Sequence, residues 1–439
     1  MFSPRTSGPM KTGQCAANRR GIETSLGWQR DFSSQQFLSA LAAAGALLLA
    51  SLPASAQSWT LTQASTNFEW QSLACSADGG SLIAAAYDDG NGDGGGIYAT
   101  TNFGVTWMPT SAPTNYAWQT VASSTNASKL VAAVCQDEEG NPGPIYTSTN
   151  SGLTWKAPLL PTNYWESVAS SADGGIMVAA DSGSGDGLIY ASTNFGKSWN
   201  ATKAPSDFWA AIASSADGTK LVAADSGYGD GLIYTSTNAG LDWSATTAPT
   251  NQWTAVASSA DGAMLVAANA GNGDDLIYTS TDAGGTWAPT LAPTNEWAAV
   301  ACSADGTQLV AADSGDGDGL IYASTNAGLS WTPTAAPVGF WTSIASSADG
   351  SRIAVTGYPG GIYTWQSPPA LNITYSSGKL FLDWQVLSSA SGFGLQETTD
   401  LAATNWVTVA SLPVVTNGFN QVMLTLPPGG NEFYRLEKP

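Results

Sequence analysis

Residues Trp209–Thr250 read W-A-A-I-A-S-S-A-D-G-T-K-L-V-A-A-D-S-G-Y-G-D-G-L-I-Y-T-S-T-N-A-G-L-D-W-S-A-T-T-A-P-T, and this unit recurs along most of the chain. Trp70, Trp118, Trp165, Trp209, Trp253, Trp297 and Trp341 open seven copies, spaced by 48, 47 and then four times 44 residues. Within the unit, four short apolar segments each end at a turn signal: Ala-Asp-Gly after Ser214 and its following Ser, an Asp- and Gly-rich loop after Ala224, Thr-Asn-Ala-Gly after Ser236, and Thr-Ala-Pro after Thr246. No segment is long enough for a helix. The pattern predicts four strands, here called a, b, c and d.

A four-stranded unit of this period, repeated seven times, predicts an all-β, seven-bladed β-propeller spanning 57–367. Ser58–Thr62 matches strand d of the other units, and the last unit ends after strand c at Pro368-Pro369. The N-terminal segment is therefore expected to pair with Gly361–Thr364 and close the seventh blade, leaving no open edge between the chain ends. Strand a carries Trp at its start and Val, Ile or Leu three residues later. Strict alternation would put these two on opposite faces of the blade.

Residues 1–56 differ from the rest. Arg5, Lys11, Arg19, Arg20 and Arg30 precede an apolar run from Phe37 to Leu52, with Ala54-Ser55-Ala56 at the expected cleavage positions. This reads as a signal peptide, giving a secreted or extracytoplasmic chain beginning at Gln57. No segment has the length of a membrane span. Beyond 368 the period is lost, and six strand-like runs predict a small C-terminal β-sandwich-like domain over 368–439.

The 439 residues hold 14 Lys and Arg against 34 Asp and Glu, a net charge of −20. Nucleic acid is excluded as a partner, because phosphate contacts need clustered cations. With no histidine, imidazole catalysis and His metal sites are excluded too. Cys75, Cys135 and Cys302 read as small buried residues, not as a disulfide or metal set. The chain is expected to be a monomer.

Between strands c and d, Thr101-Asn102-Phe103-Gly104-Val105-Thr106-Trp107, Ser148–Trp155, Ser192–Trp199 and the copies ending at Trp243, Trp287 and Trp331 share S-T-N/D-x-G-x-[TSD]-W. This resembles the Asp-box, or bacterial neuraminidase (BNR), repeat, with Asp282 keeping the acid and Asn102, Asn150, Asn194, Asn238 and Asn326 replacing it. Asn forms the same side-chain-closed turn. The propeller also resembles photosystem II assembly factors and sortilin-type receptors, both non-enzymatic. Phe433-Tyr434-Arg435-Leu436 resembles the F-Y-R-L ending of C-terminal modules on secreted bacterial repeat proteins, which implies sorting or attachment.

The resemblance to sialidases implies three arginines clamping a carboxylate, yet Arg352 is the single arginine of the 57–367 region. Sialidase chemistry is thereby disfavoured. The alternative is an Asp-box glycoside hydrolase using paired carboxylates. The acids that break the repeat are Glu69, Asp137, Glu138, Glu139, Glu166, Asp207, Asp242 and Glu296, and no catalytic pair is recognisable among them. The reading is a secreted, non-catalytic binding or scaffold module for glycans or proteins, with no catalytic residues and no required cofactor. Binding candidates are Trp118, Trp165, Trp209, Trp253 and Trp297, placed with the acidic b–c loops on one rim. Oxygen ligands alternating with glycine make Asp313, Asp316 and Asp318 candidate Ca²⁺ ligands.

Overall fold

In the computed structural model, the described residues are 59–367, apart from 91–93, 138–140, 159, 184–185, 271–274, 316 and 359, followed by 371–376, 379–385, 393–399, 406–416, 419–425 and 432–437. The expected signal peptide lies outside them. The first part forms seven antiparallel sheets in series, six with their strands in chain order and the seventh completed by the N-terminal strand. In blade 4, strand a is Trp209–Ser214, b Leu221–Asp225, c Ile233–Ser236 and d Ser244–Ala245. Strands a of the other blades are Glu69–Cys75, Tyr116–Ser123, Trp165–Ser170, Trp253–Ser258, Trp297–Cys302 and Trp341–Ser346. Each packs against the next, and the seventh packs against the first, which closes the ring. In blade 2, strand d is reduced to one bridge, Thr147 to Lys156.

Closure is as the sequence implies. Thr60 pairs with Thr364 and Leu61 with Tyr363, and the Thr62 N–H donates to the Ile362 carbonyl at 2.9 Å. The N-terminal segment thus becomes the fourth strand of blade 7, beside Gly361–Gln366.

Strand b explains how the blades stack. Leu221 and Ala223 face Val178, Ala180 and Ile189 of blade 3, while Val222 and Ala224 face Trp253, Leu265 and Ala267 of blade 5. The L-V-A-A run therefore gives each face one large and one small residue, as a strand buried on both sides needs.

Strand a departs from the expected alternation. Trp209 and Ile212 lie in the same cluster, as do Trp297 and Val300. The cause is a β-bulge just after the Trp in every blade: Trp209 pairs with Asp225, yet Ala211 pairs with Ala224. One extra residue shifts the parity, so positions i and i+3 share a face. The seven opening tryptophans are each almost fully buried against the preceding blade.

At the a–b end, a belt of backbone bonds links the blades. Ala77 donates to Thr125, Thr125 to Ala172, Ala172 to Ala216, Ala216 to Ala260, Ala260 to Ala304, Ala304 to Ala348 and Ala348 back to Ala77, all at 2.7 to 2.8 Å. Each a–b turn is closed by its own side chains, as where the Ser215 hydroxyl donates to Asp217 at 2.6 Å and accepts the Lys220 N–H at 3.1 Å. That hydroxyl bond, with the Thr219 N–H, holds the Asp217 carboxyl below its ordinary range.

The c–d turns are alike. Asn238 accepts the Asp242 N–H at 2.9 Å, and Ser236 accepts the Gly240 N–H at 3.0 Å. Glycine takes positive φ here, and so does the residue before it: Phe103, Ser151, Phe195, Ala239, Ala283 and Ala327 have φ between 54° and 61°.

Beyond the propeller, Asn372–Ser376, Lys379–Gln385, Val414–Thr416 and Phe419–Leu424 form one sheet, and Gly394–Thr398, Val407–Thr408 and Phe433–Glu437 a second. Leu380, Leu382, Trp384 and Val422 of the first share a buried cluster with Leu395 and Tyr434 of the second, as in a small sandwich. Val414–Thr416 has no counterpart among the sequence-predicted runs.

Candidate binding face

The d–a and b–c loops share one face. Ser182 donates to the Tyr164 carbonyl at 3.0 Å, Ser226 to Phe208 at 3.0 Å, Ser314 to Glu296 at 2.8 Å and Tyr358 to Phe340 at 3.0 Å. Each b–c loop also reaches the connection into the next blade, as where Asp207 donates to Gly187 at 3.1 Å. The approach demands glycine, since a Cβ on Gly187 would lie 1.9 Å from the Asp181 carbonyl oxygen and 2.7 Å from that of Asp207.

The tryptophan candidates do not stand on this face. Trp118, Trp165, Trp209, Trp253 and Trp297 have no exposed surface. The bulge turns each ring into the blade interface, against the strand c tyrosine: Trp209 and Tyr234 meet edge to face at 5.5 Å. Four of these indole N–H groups donate to loop carbonyls, such as Trp253 to Gly231 at 3.1 Å. The rings fix the loops from beneath and offer no surface to a ligand.

On several blades the residue just before the Trp occupies the face instead. Tyr164 is 39% exposed and Phe340 45%, while Phe208 is half-buried. Tyr358, in the last b–c turn, is 43% exposed. Blades 5 and 6 carry Gln252 and Glu296 at that position. Sequence reasoning missed these aromatics because it followed the invariant Trp. The usable signal was the variable position beside it, where repeat symmetry is broken.

The first acid of several b–c loops closes its own loop. Asp181 accepts the Gly183 N–H at 3.0 Å, Asp225 that of Gly227 at 2.9 Å and Asp313 that of Gly315 at 3.1 Å. Burial pushes the Asp181 and Asp313 carboxyls above the ordinary range. Of the metal candidates, Asp316 lies outside the described residues. Among the described residues, no group of three or more His, Cys, Asp or Glu is arranged to hold a metal ion.

One loop is exceptional. Blades 3, 5 and 6 carry Asn163, Asn251 and Asn295 two residues before the Trp, but blade 4 carries Asp207. Asp207 is in hydrogen-bond contact with Asp225, which is only 4% exposed. Burial first, and then the Asp207 charge, push the Asp225 carboxyl up to about 6. Asp225 therefore keeps its proton to a higher pH than an ordinary carboxyl and is ionised above about 6. The sequence reading did not recognise this pair, because one member belongs to the repeat and only the other breaks it.

Elsewhere, the Glu166 carboxyl is raised by burial and accepts the Gln119 amide at 2.9 Å. Cys75, Cys135 and Cys302 are free, and burial pushes their thiols to about 12, 11 and 12. None is a thiolate near neutral pH.

No protein-family model and no curated protein matches the chain. Solved structures do. The GH74 xyloglucanase from Xanthomonas campestris is similar at a TM-score of 0.55 and 16% identity, over 80% of this chain and 59% of that one. A structure described as YCF48 bound to D1 peptide is similar at a TM-score of 0.53 and 15% identity, over 73% of this chain and 100% of that one. At such identities the likeness is one of fold, and the fold is that of the β-propeller.

Proposed function

We propose that this chain is an exported, non-catalytic β-propeller that binds glycans or proteins through the face built by its b–c and d–a loops. The observation that carries the reading is the broken symmetry of that face: Tyr164 and Phe208 stand on neighbouring blades, with Phe340 and Tyr358 on blade 7. Aromatic side chains presenting surface at a loop face suit stacking of sugar rings or of apolar side chains. The surrounding carboxylates favour cationic partners. Among the fold's neighbours, one is described with a bound peptide and one as a xyloglucanase, so both classes of ligand are compatible with the architecture.

Hydrolysis by paired carboxylates is the rival reading, and the Asp207–Asp225 pair bears on it directly. Glycosidase carboxyls stand about 5 to 5.5 Å apart in retaining enzymes and about 6.5 to 9.5 Å in inverting ones. Asp207 and Asp225 are in hydrogen-bond contact, which leaves room for neither an anomeric carbon nor a water. The c–d turns are read as Asp-box repeats in a structural role, and the C-terminal sandwich as a sorting or attachment module.

The test uses residues 57–439 on a glycan array and in pull-downs, with Tyr164→Ala/Phe208→Ala and Phe340→Ala as face variants. Binding lost in these variants supports the reading. Turnover of fluorogenic glucosides that vanishes in Asp225→Asn would replace it with the hydrolase. Calorimetry with Ca²⁺, on the parent and on a chain with Asp313, Asp316 and Asp318 changed to Asn, separates a metal-bridged rim from a solvated one.

A further inference from the structure

In blade 4 the b–c loop and the d–a connection meet through two carboxyls. Asp225 ends strand b, Asp207 stands two residues before Trp209, and the two are in hydrogen-bond contact. At the position of Asp207 the other blades carry Phe68, Tyr116, Asn163, Asn251, Asn295 and Gly339, none of them an acid. Asp225 shares parity with Leu221 and Ala223, so its side chain is turned towards blade 3. The titratable groups around it are Asp207, Tyr234 of strand c, and Asp230 beyond Gly227, where a Cβ would lie 3.1 Å from Asp225 Oδ2 and 3.1 Å from Asp230 Oδ1. Blade 3 adds Glu166, Asp181 and Asp186 on that side. All of these are carboxyls or a phenol. Among the described residues, neither Asp207 nor Asp225 is in an ion pair.

The pair is tied to an aromatic of the loop face. Phe208 follows Asp207, and its N–H donates to Asp207 Oδ1 at 3.2 Å. Its carbonyl accepts the N–H of Ser226 at 3.0 Å and the Ser226 hydroxyl at 3.2 Å, and Ser226 is the residue after Asp225. Asp207 is half-buried while Asp225 is 4% exposed, so of the two carboxyls it is Asp207 that can turn to water.

We propose that the contact of Asp207 with Asp225 is a pH-operated latch on the d–a loop of blade 4, closed while the two carboxyls share a proton and released when both are ionised. In the closed form the Asp225 hydroxyl donates to the Asp207 carboxylate. On release that proton passes to water, the like charges repel, and Asp207 turns outward, taking with it the acceptor of the Phe208 N–H. Phe208 is thereby fixed on the face in acid and loosened near neutrality. Burial and the charge of Asp207 put the release near pH 6. The latch needs no ligand. Its consequence for binding rests on the loop-face reading, under which a ligand stacked on Phe208 is held more tightly in acid.

Blade 7 supplies an internal control. Gly357 and Gly339 stand where blade 4 has Asp225 and Asp207, and the Tyr358 N–H donates to the Phe340 carbonyl at 3.0 Å as that of Ser226 does to Phe208. The test is amide hydrogen exchange on residues 57–439, read as protection factors, which correct for the intrinsic effect of pH on exchange. From pH 5.0 to 7.5 the Ser226 N–H is expected to lose about fivefold or more of its protection, while that of Tyr358 changes by less than about twofold. Asp207→Asn and Asp225→Asn each leave an amide that donates to the remaining carboxylate, and blade 5 already accommodates Asn269 in the place of Asp225. Both variants are therefore expected to keep at pH 7.5 the Ser226 protection that the parent has at pH 5.0. A parent without the step, a step that persists in both variants, or an equal step at Tyr358 overturns the proposal. The readout is a backbone amide, so failure of the latch leaves the loop-face reading intact; that reading stands or falls on the binding of Tyr164→Ala/Phe208→Ala.

Discussion

Asp207 differs from its counterparts Asn163, Asn251 and Asn295 by one atom's identity, and that makes blade 4 pH-sensitive. The folded-state pKa of Asp225 is raised, to about 6 against about 3.9 in an unfolded chain. The folded state therefore binds more protons between those values, and stability falls as pH rises from about 4 to about 6, staying level above. Asp225 is buried, so the effect is of order 2 to 3 kcal/mol. Asp207→Asn should restore the Asn–Asp arrangement of blade 3 and leave only the weaker dependence due to burial. Urea unfolding of parent and variant at pH 4, 5, 6 and 7 measures it, and parallel curves would refute the coupling. The a–b turn carboxyls act in the opposite sense. Asp217, Asp261 and Asp305 are held low by hydroxyl and backbone bonds, so their contribution is present above about pH 4 and is lost as pH falls below it.

Three further substitutions separate structural residues from surface ones. Gly187→Ala forces a Cβ against two carbonyl oxygens and should destabilise by roughly 2 to 4 kcal/mol. Trp253→Ala empties a blade interface and should cost about 3 to 5 kcal/mol, whereas Tyr164→Ala should stay within about 0.5 kcal/mol. Chemical denaturation of the three variants checks both statements; equal losses for Trp253 and Tyr164 would contradict the placement of the face.

At the level of strands and turns, periodicity made most of the propeller legible. Four segments per unit, seven units and the displaced strand d were readable because turn residues mark each boundary. Strict alternation then failed at one place, the bulge after Trp, because a bulge is a backbone feature with no fixed side-chain signature. That single residue of slip puts each Trp on the same blade face as the aliphatic residue three positions on, against the preceding blade, and the exposed aromatics are the neighbours Tyr164, Phe208 and Phe340. The carboxyl pair was not legible either, since it depends on residues from two separate loops meeting in space. The closing strand is the element most open to test. Deleting 57–62 removes the buried Trp59 and the pairing of Thr60 and Leu61, and should cost about 3 to 5 kcal/mol. A thermal melt unchanged by the deletion would show that closure rests elsewhere.

For the molecule as a whole, stability is shared around a ring and not along a line. Each blade buries its faces only against its two neighbours, so removing residues 209–252, one full unit, should leave six blades that no longer meet and a chain without a cooperative thermal transition. Calorimetry decides this, and a sharp single transition would show that the ring tolerates six blades. The belt from Ala77 through Thr125, Ala172, Ala216, Ala260, Ala304 and Ala348 has a further property. Each N–H···O bond runs on to the next blade in one rotational sense, so the seven dipoles lie head to tail on a circle and strengthen one another. Arranged tangentially, they have no resultant and set up no potential along the axis they encircle. A helix end projects its field along its axis; this collar, by contrast, adds nothing to the potential an ion meets at the propeller's centre.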